Sequence, residues 1–124
     1  MDISFQEQLD KLNNEQRKAV ENIDGAYLVL AGPGTGKTQL LSLRAANILK
    51  KADVSPDNIL CLTFTEAGCE EMSSRLEKMA GKEGQKINVF TFHGLAGMIR
   101  NQYPKYFNDG VTFHHLDKLK QLEI

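Results

Sequence analysis

Little in this sequence is extreme, and each scarcity removes a class of function. Cysteine occurs only as Cys61 and Cys69. Two isolated thiols provide neither a disulfide framework nor a metal ligand set. Their apolar surroundings predict buried thiols in a reduced, cytoplasmic setting. Hydrophobic runs are short, and none approaches the roughly 20 residues that span a bilayer. Met1-Asp2-Ile3-Ser4 lacks the basic and apolar regions of a signal peptide, so no membrane partner is expected. An excess of one charge is missing too. Lys and Arg number 15 against 16 Asp and Glu, a net charge of −1. No global basic field exists, and a nucleic-acid partner must be met at a local site. The three prolines fall at positions 33, 56 and 104, in connections rather than in the periodic stretches. What remains is an ordinary globular composition, 124 residues with 41% hydrophobic, enough for one domain with a modest core.

The most informative stretch is Ala31-Gly32-Pro33-Gly34-Thr35-Gly36-Lys37-Thr38. The apolar run before it, Ala26-Tyr27-Leu28-Val29-Leu30, reads as a buried strand. Residues 39–51 follow, with Leu41, Ala45, Ile48 and Leu49 at helical spacing. Strand, glycine-rich turn, Lys-Thr and helix together make a phosphate loop. The glycines let the backbone curl into a nest of inward-pointing N–H groups, and the helix adds its positive N-terminal end. Lys37 is expected to reach the β- and γ-phosphates of a nucleoside triphosphate, and Thr38 to ligate Mg2+. Ala31 stands where a first glycine is usually written. Its methyl costs little if that position needs no positive φ.

Two further strand-then-helix units follow the first. Residues 58–64 read as a strand and residues 66–80 as a helix, with Thr65 as its N-cap. Cys69, Met72, Leu76, Met79 and Ala80 form that helix's apolar face. Residues 87–92 read as the third strand. The helix after it runs through Leu95, Ile99 and Tyr103 and should stop before Pro104. The alternation predicts an α/β fold, a parallel sheet with flanking helices. Ahead of the first strand, Asn13 and Gln16 have the spacing of a capping box that opens a short helix. Asn108-Asp109-Gly110 reads as a turn and residues 115–122 as a short helix, while His114 and His115 match no motif.

Phosphate-loop hydrolases need an acidic residue after a later apolar strand, to hold Mg2+ and position the attacking water. Neither later strand ends that way. The second runs into Thr63-Phe64-Thr65 and the third into Thr91-Phe92-His93. The sequence therefore reads as the N-terminal piece of a longer enzyme, expected to bind a nucleoside triphosphate but not to hydrolyse it alone.

Four segments, in order, resemble motifs of the UvrD/Rep-type superfamily I DNA helicases. Leu12-Asn13-Asn14-Glu15-Gln16-Arg17-Lys18-Ala19-Val20 resembles the Q motif, whose glutamine, here Gln16, reads the adenine edge. An amide that both donates and accepts suits that task, although the capping box accounts for Gln16 equally well. The phosphate loop is similar to the family's Ala-Gly-x-Gly-[Ser/Thr]-Gly-Lys-Thr. The next residue, in many members an arginine that helps hold the nucleotide, is Gln39 here and joins the expected nucleotide site. Leu60-Cys61-Leu62-Thr63-Phe64-Thr65-Glu66-Ala67-Gly68-Cys69-Glu70-Glu71-Met72-Ser73-Ser74-Arg75 resembles motif Ia at Phe64, Thr65, Glu71, Met72 and Arg75. It departs from that motif at Glu66, Ala67, Gly68 and Cys69. Val89-Phe90-Thr91-Phe92-His93-Gly94-Leu95-Ala96-Gly97-Met98-Ile99-Arg100 resembles motif Ib, with Gly94 in place of a serine.

The resemblance implies a RecA-like phosphate-loop NTPase fold, present as a partial domain. Residues 1–102 would be the N-terminal part of helicase domain 1A, and residues 103–124 the start of the inserted helical subdomain 1B. It implies ATP and Mg2+ as cofactors. Single-stranded DNA would be a partner, met by Phe64, Thr65, Thr91 and His93, alongside the remaining helicase domains of the parent chain. An aromatic at a strand end can stack a base, and a helix N-terminus can hold a phosphate; Phe64 as an ordinary core residue is the competing reading. The implied activity is ATP-driven movement along single-stranded DNA, typically 3′ to 5′, with unwinding of duplex, in repair, replication or recombination. The alternatives are a small phosphate-loop kinase acting on a metabolite and a nucleotide-gated interaction module. The first would need an arginine-bearing lid, and Arg17, Arg44, Arg75 and Arg100 are not clustered in one.

Overall fold

The computed structural model describes residues 3–107. The turn expected at residues 108–110, the helix at 115–122 and most of the segment 103–124 lie outside them. Five helices and two strands are described: α1 (Ile3–Asp10), α2 (Asn14–Glu21), α3 (Lys37–Lys51), β1 (Leu60–Thr63), α4 (Glu66–Gln85), β2 (Asn88–Thr91) and α5 (Phe92–Gln102). None of these helices is long and apolar enough to cross a membrane.

Local chemistry sets most of the boundaries. The Gln16 N–H donates to Asn13 Oδ1 at 2.9 Å and the Asn13 N–H to Gln16 Oε1 at 3.0 Å, a complete capping box on α2. Thr65 caps α4 through the Gly68 N–H at 3.0 Å, and Thr91 caps α5 through the Gly94 N–H at 2.9 Å. Helix α5 ends at Gln102, two residues before Pro104, as the restricted backbone before proline requires. Helix α4 runs past its expected end. At Gly81 the backbone takes φ 59°, ψ −140°, a break that glycine tolerates, and a last helical turn follows.

Strands β1 and β2 pair in parallel, Leu60 opposite Asn88 through Thr63 opposite Thr91, with α4 as the crossover between them. The expected first strand differs. Residues 26–30 join no ladder among the described residues, and Leu28 and Leu30 are each 87% exposed. A strand acquires its ladder from neighbours, and among the described residues β1 and β2 pair only with one another. The segment's four large apolar side chains therefore remain outside the core.

Two apolar clusters form the core, and α3 contributes to both. Phe5, Val20, Leu40, Leu43, Ala46 and Met79 gather beneath α1 and α2. Ala45, Ile59, Met72, Leu76 and Ile87 pack between α3, α4 and the sheet. Because α3 is covered on two sides, its buried positions include Leu40, Ser42, Leu43 and Asn47 as well as Ala45 and Ala46. Leu41, expected on the inner face, is 51% exposed instead. The Asn47 amide is satisfied by the Val20 carbonyl at 2.9 Å, which fixes α2 against α3.

Candidate functional site

The loop from Ala31 to Gly36 leads directly into α3, whose first residues are Lys37, Thr38 and Gln39. Gly34 and Gly36 take φ values of 73° and 80°, a left-handed backbone that gives the loop its curl. The Thr35 hydroxyl donates to the Gly32 carbonyl at 2.6 Å and closes the turn. Ser42 Oγ donates to the Thr38 carbonyl at 2.8 Å, securing the first turn of α3. Lys37 is exposed at the positive end of this 15-residue helix, beside backbone N–H groups without helical partners. That is the donor set an anion requires.

A cavity of about 660 Å³ adjoins the loop. Ala31, Gly32, Thr35, Gly36 and Lys37 line one side and Asn13 and Gln16 another, within the size range of nucleotide pockets. The structure thus brings Gln16 and the phosphate loop to one cavity although half of the Gln16 amide is committed. Its Oε1 accepts from Asn13, and its NH2 group remains to meet a base. Arg44 anchors the approach to the loop. Its guanidinium donates to the Ala19 and Asn22 carbonyls and lies 4.9 Å from the centre of the Tyr27 ring. The loop, Lys37 and Gln16 offer donors that suit the phosphates and base of a nucleotide, beside a wall that Tyr27, Leu28, Val29 and Leu30 complete.

Pro33, Gly34, Thr38 and Gln39 do not line this cavity. Gln39 turns instead toward α1 and α4, where its amide meets Gln8 and Arg75.

At the C-terminal ends of β1 and β2 a second face assembles. Helices α4 and α5 both begin there, side by side. Phe64 is 86% exposed, which answers the core reading of that residue within these residues. It leans on Phe92, with ring centroids 5.2 Å apart and planes tilted by 41°. Phe92 is 49% exposed and was not singled out in the sequence, where it reads as the last residue of a strand. Its signal lay in the Thr-Phe-His triplet. Thr65 is exposed and His93 is exposed, whereas Thr91 is only 6% exposed and spends its hydroxyl on the α5 cap. Glu66 adds a carboxylate to the first turn of α4.

The two thiols take no part in either face. Burial pushes the Cys61 thiol above its usual range. Desolvation first, then the carboxylates of Glu66 and Glu70, do the same for Cys69. Both are free thiols, half-buried rather than buried as their apolar surroundings predict.

Comparison with known proteins identifies the family. The family described as UvrD/REP helicase N-terminal domain matches residues 12–124. A protein named ATP-dependent DNA helicase PcrA from Staphylococcus epidermidis is 45% identical over 84 residues, 68% of this chain and 12% of the relative. Its namesake from Staphylococcus aureus is 41% identical over 87 residues, 70% of this chain and 12% of the relative. A probable DNA helicase II homolog from Rickettsia conorii is 39% identical over 120 residues, 93% of this chain and 18% of the relative. The chain therefore spans less than a fifth of the length of these relatives. It belongs to the UvrD/REP helicase N-terminal domain family.

Proposed function

We propose that this chain is the ATP- and single-stranded-DNA-binding N-terminal part of a helicase. The parent enzyme would couple ATP hydrolysis to 3′-to-5′ translocation and duplex unwinding in DNA repair, replication or recombination. Residues 1–102 are read as the N-terminal part of RecA-like domain 1A and residues 103–124 as the start of subdomain 1B. The remaining domains of the parent chain would complete the motor. Gln16 and residues 31–39 serve the nucleotide, with Lys37 on its phosphates and Thr38 on Mg2+. Phe64, Thr65, Thr91 and His93 serve the DNA, Thr91 by orienting the start of α5. Family membership leaves the small-kinase reading without an observation in its favour.

One observation carries the DNA part of this reading. A largely exposed aromatic ring, Phe64, stands where two neighbouring helices begin, on the sheet edge that α/β folds use for ligands. A base can stack on the ring while the helix N-termini meet phosphates. With about two or three phosphate contacts, binding should be weak, and log K should fall with log salt at a slope near −1.5 to −2. Phe64→Ala is expected to weaken binding by about five- to hundredfold with an unchanged slope, because stacking releases no counterions. Titration of a fluorescent single-stranded oligonucleotide at several salt concentrations reads both quantities. Coincident curves for wild type and Phe64→Ala would remove the DNA assignment.

A further inference from the structure

Gln39 sits immediately after the Lys37-Thr38 pair and is held from two sides. Its Nε2 donates to Gln8 Oε1 of α1 at 2.8 Å, and its Oε1 accepts from Arg75 Nη1 of α4. Arg75 is itself fixed. Its Nε and Nη2 donate to Glu71 Oε1 at 3.1 and 2.7 Å, one turn earlier on the same helix. A guanidinium only donates, so the carbonyl end of the Gln39 amide must face Arg75 and its NH2 end must face Gln8. The amide cannot turn over without losing both bonds. The four side chains border a cavity of about 320 Å³, separate from the one that the phosphate loop lines. Neither the apolar clusters nor the loop accounts for this chain of polar contacts.

From this geometry we infer that Arg75 is a positioning residue for the nucleotide site, acting through Gln39 on the first turn of α3. Glu71 takes two of its N–H donors, so what Arg75 delivers to Gln39 is direction rather than net charge. Fixing Gln39 fixes the rotation of the turn that carries Lys37 and Thr38. The inference rests on the reading of that turn as an ATP and Mg2+ site. It adds a determinant from α4, the helix that Thr65 caps.

Three features follow for binding. Arg75→Lys keeps the charge but loses the fork that spans Glu71 and Gln39. It should weaken Mg-ATP binding by about three- to tenfold, and Arg75→Gln by a similar amount. The gain in ATP affinity on adding Mg2+ should shrink as well, since Thr38 is displaced with the turn. Gln39→Leu removes the amide that Arg75 meets and should cost about as much as Arg75→Gln, and the double variant should cost no more than either, because both break one chain of contacts.

The test is calorimetry of ATP binding to the whole chain, with Mg2+ and with EDTA. Wild type, Lys37→Ala, both Arg75 variants, Gln39→Leu and the double variant Gln39→Leu with Arg75→Gln are compared, each with its thermal unfolding midpoint. Weak singles with a double variant no weaker than either, at temperatures well below every midpoint, support the inference. Arg75 variants that bind like wild type, even with lowered midpoints, overturn it and leave a structural contact. Losses that add in the double variant also overturn it, because the two residues then act independently. Wild type and Lys37→Ala binding alike would overturn the nucleotide reading itself, and the inference with it.

Discussion

Lys37→Ala is expected to weaken Mg-ATP and Mg-ADP binding by about ten- to hundredfold, the effect of losing one charge-assisted contact to phosphate. The side chain is exposed and stands at the positive end of α3, so its removal leaves no cavity in the core. Loss of affinity without loss of fold should therefore be separable, by comparing calorimetric binding with the far-ultraviolet spectrum of the same sample. The loop backbone would still offer its N–H groups, and a residual weak affinity for polyphosphate is part of the expectation. Equal affinity in wild type and variant would remove Lys37 from the site.

A second large effect is expected in turnover. ATP hydrolysis by this chain alone should not rise above background, with or without single-stranded DNA. In phosphate-loop enzymes a carboxylate holds Mg2+ and orients water, and a transition-state arginine contributes about 10³–10⁵ in rate. Among the described residues both strands run into Thr-Phe rather than into a carboxylate. Arg44 and Arg75 are engaged with carbonyl and amide partners elsewhere. A phosphate-release assay with Lys37→Ala as control distinguishes the outcomes. Release that survives in the variant comes from a contaminant, and release that disappears with Lys37 would contradict the expectation.

The parts of the fold written in short-range chemistry were legible in the sequence. Asn13 with Gln16, Thr65 four residues after Cys61 in its strand, and Pro104 each set a helix boundary through atoms a few residues away. The alternation of apolar strand and amphipathic helix likewise gave the parallel pair β1 and β2. What depended on distant neighbours was not legible. Residues 26–30 have the composition of a buried strand, but burial requires flanking strands, and among the described residues none pairs with them. Leu41 and Leu40 cannot be ranked by periodicity in a helix covered on two sides, and the structure buries Leu40. The candidate site divides in the same way. The loop and its Lys-Thr pair are a contiguous motif. The Phe64–Phe92 contact and the chain from Glu71 to Gln8 join residues far apart in sequence and emerge only when α4 is placed.

The central claim is that one short chain carries two distinct polyanion sites, a phosphate loop for ATP and an aromatic-lined strand edge for single-stranded DNA. It is tested most directly by titrating a fluorescent oligonucleotide into the chain, free and then saturated with Mg-ATP. Lys37→Ala and Phe64→Ala are run in parallel. The account predicts that the oligonucleotide binds the ATP-saturated chain without displacing nucleotide. Lys37→Ala should lose ATP while keeping the oligonucleotide, and Phe64→Ala should do the reverse. Competition between ATP and oligonucleotide for a single site, with both ligands lost in Lys37→Ala and neither in Phe64→Ala, would contradict it.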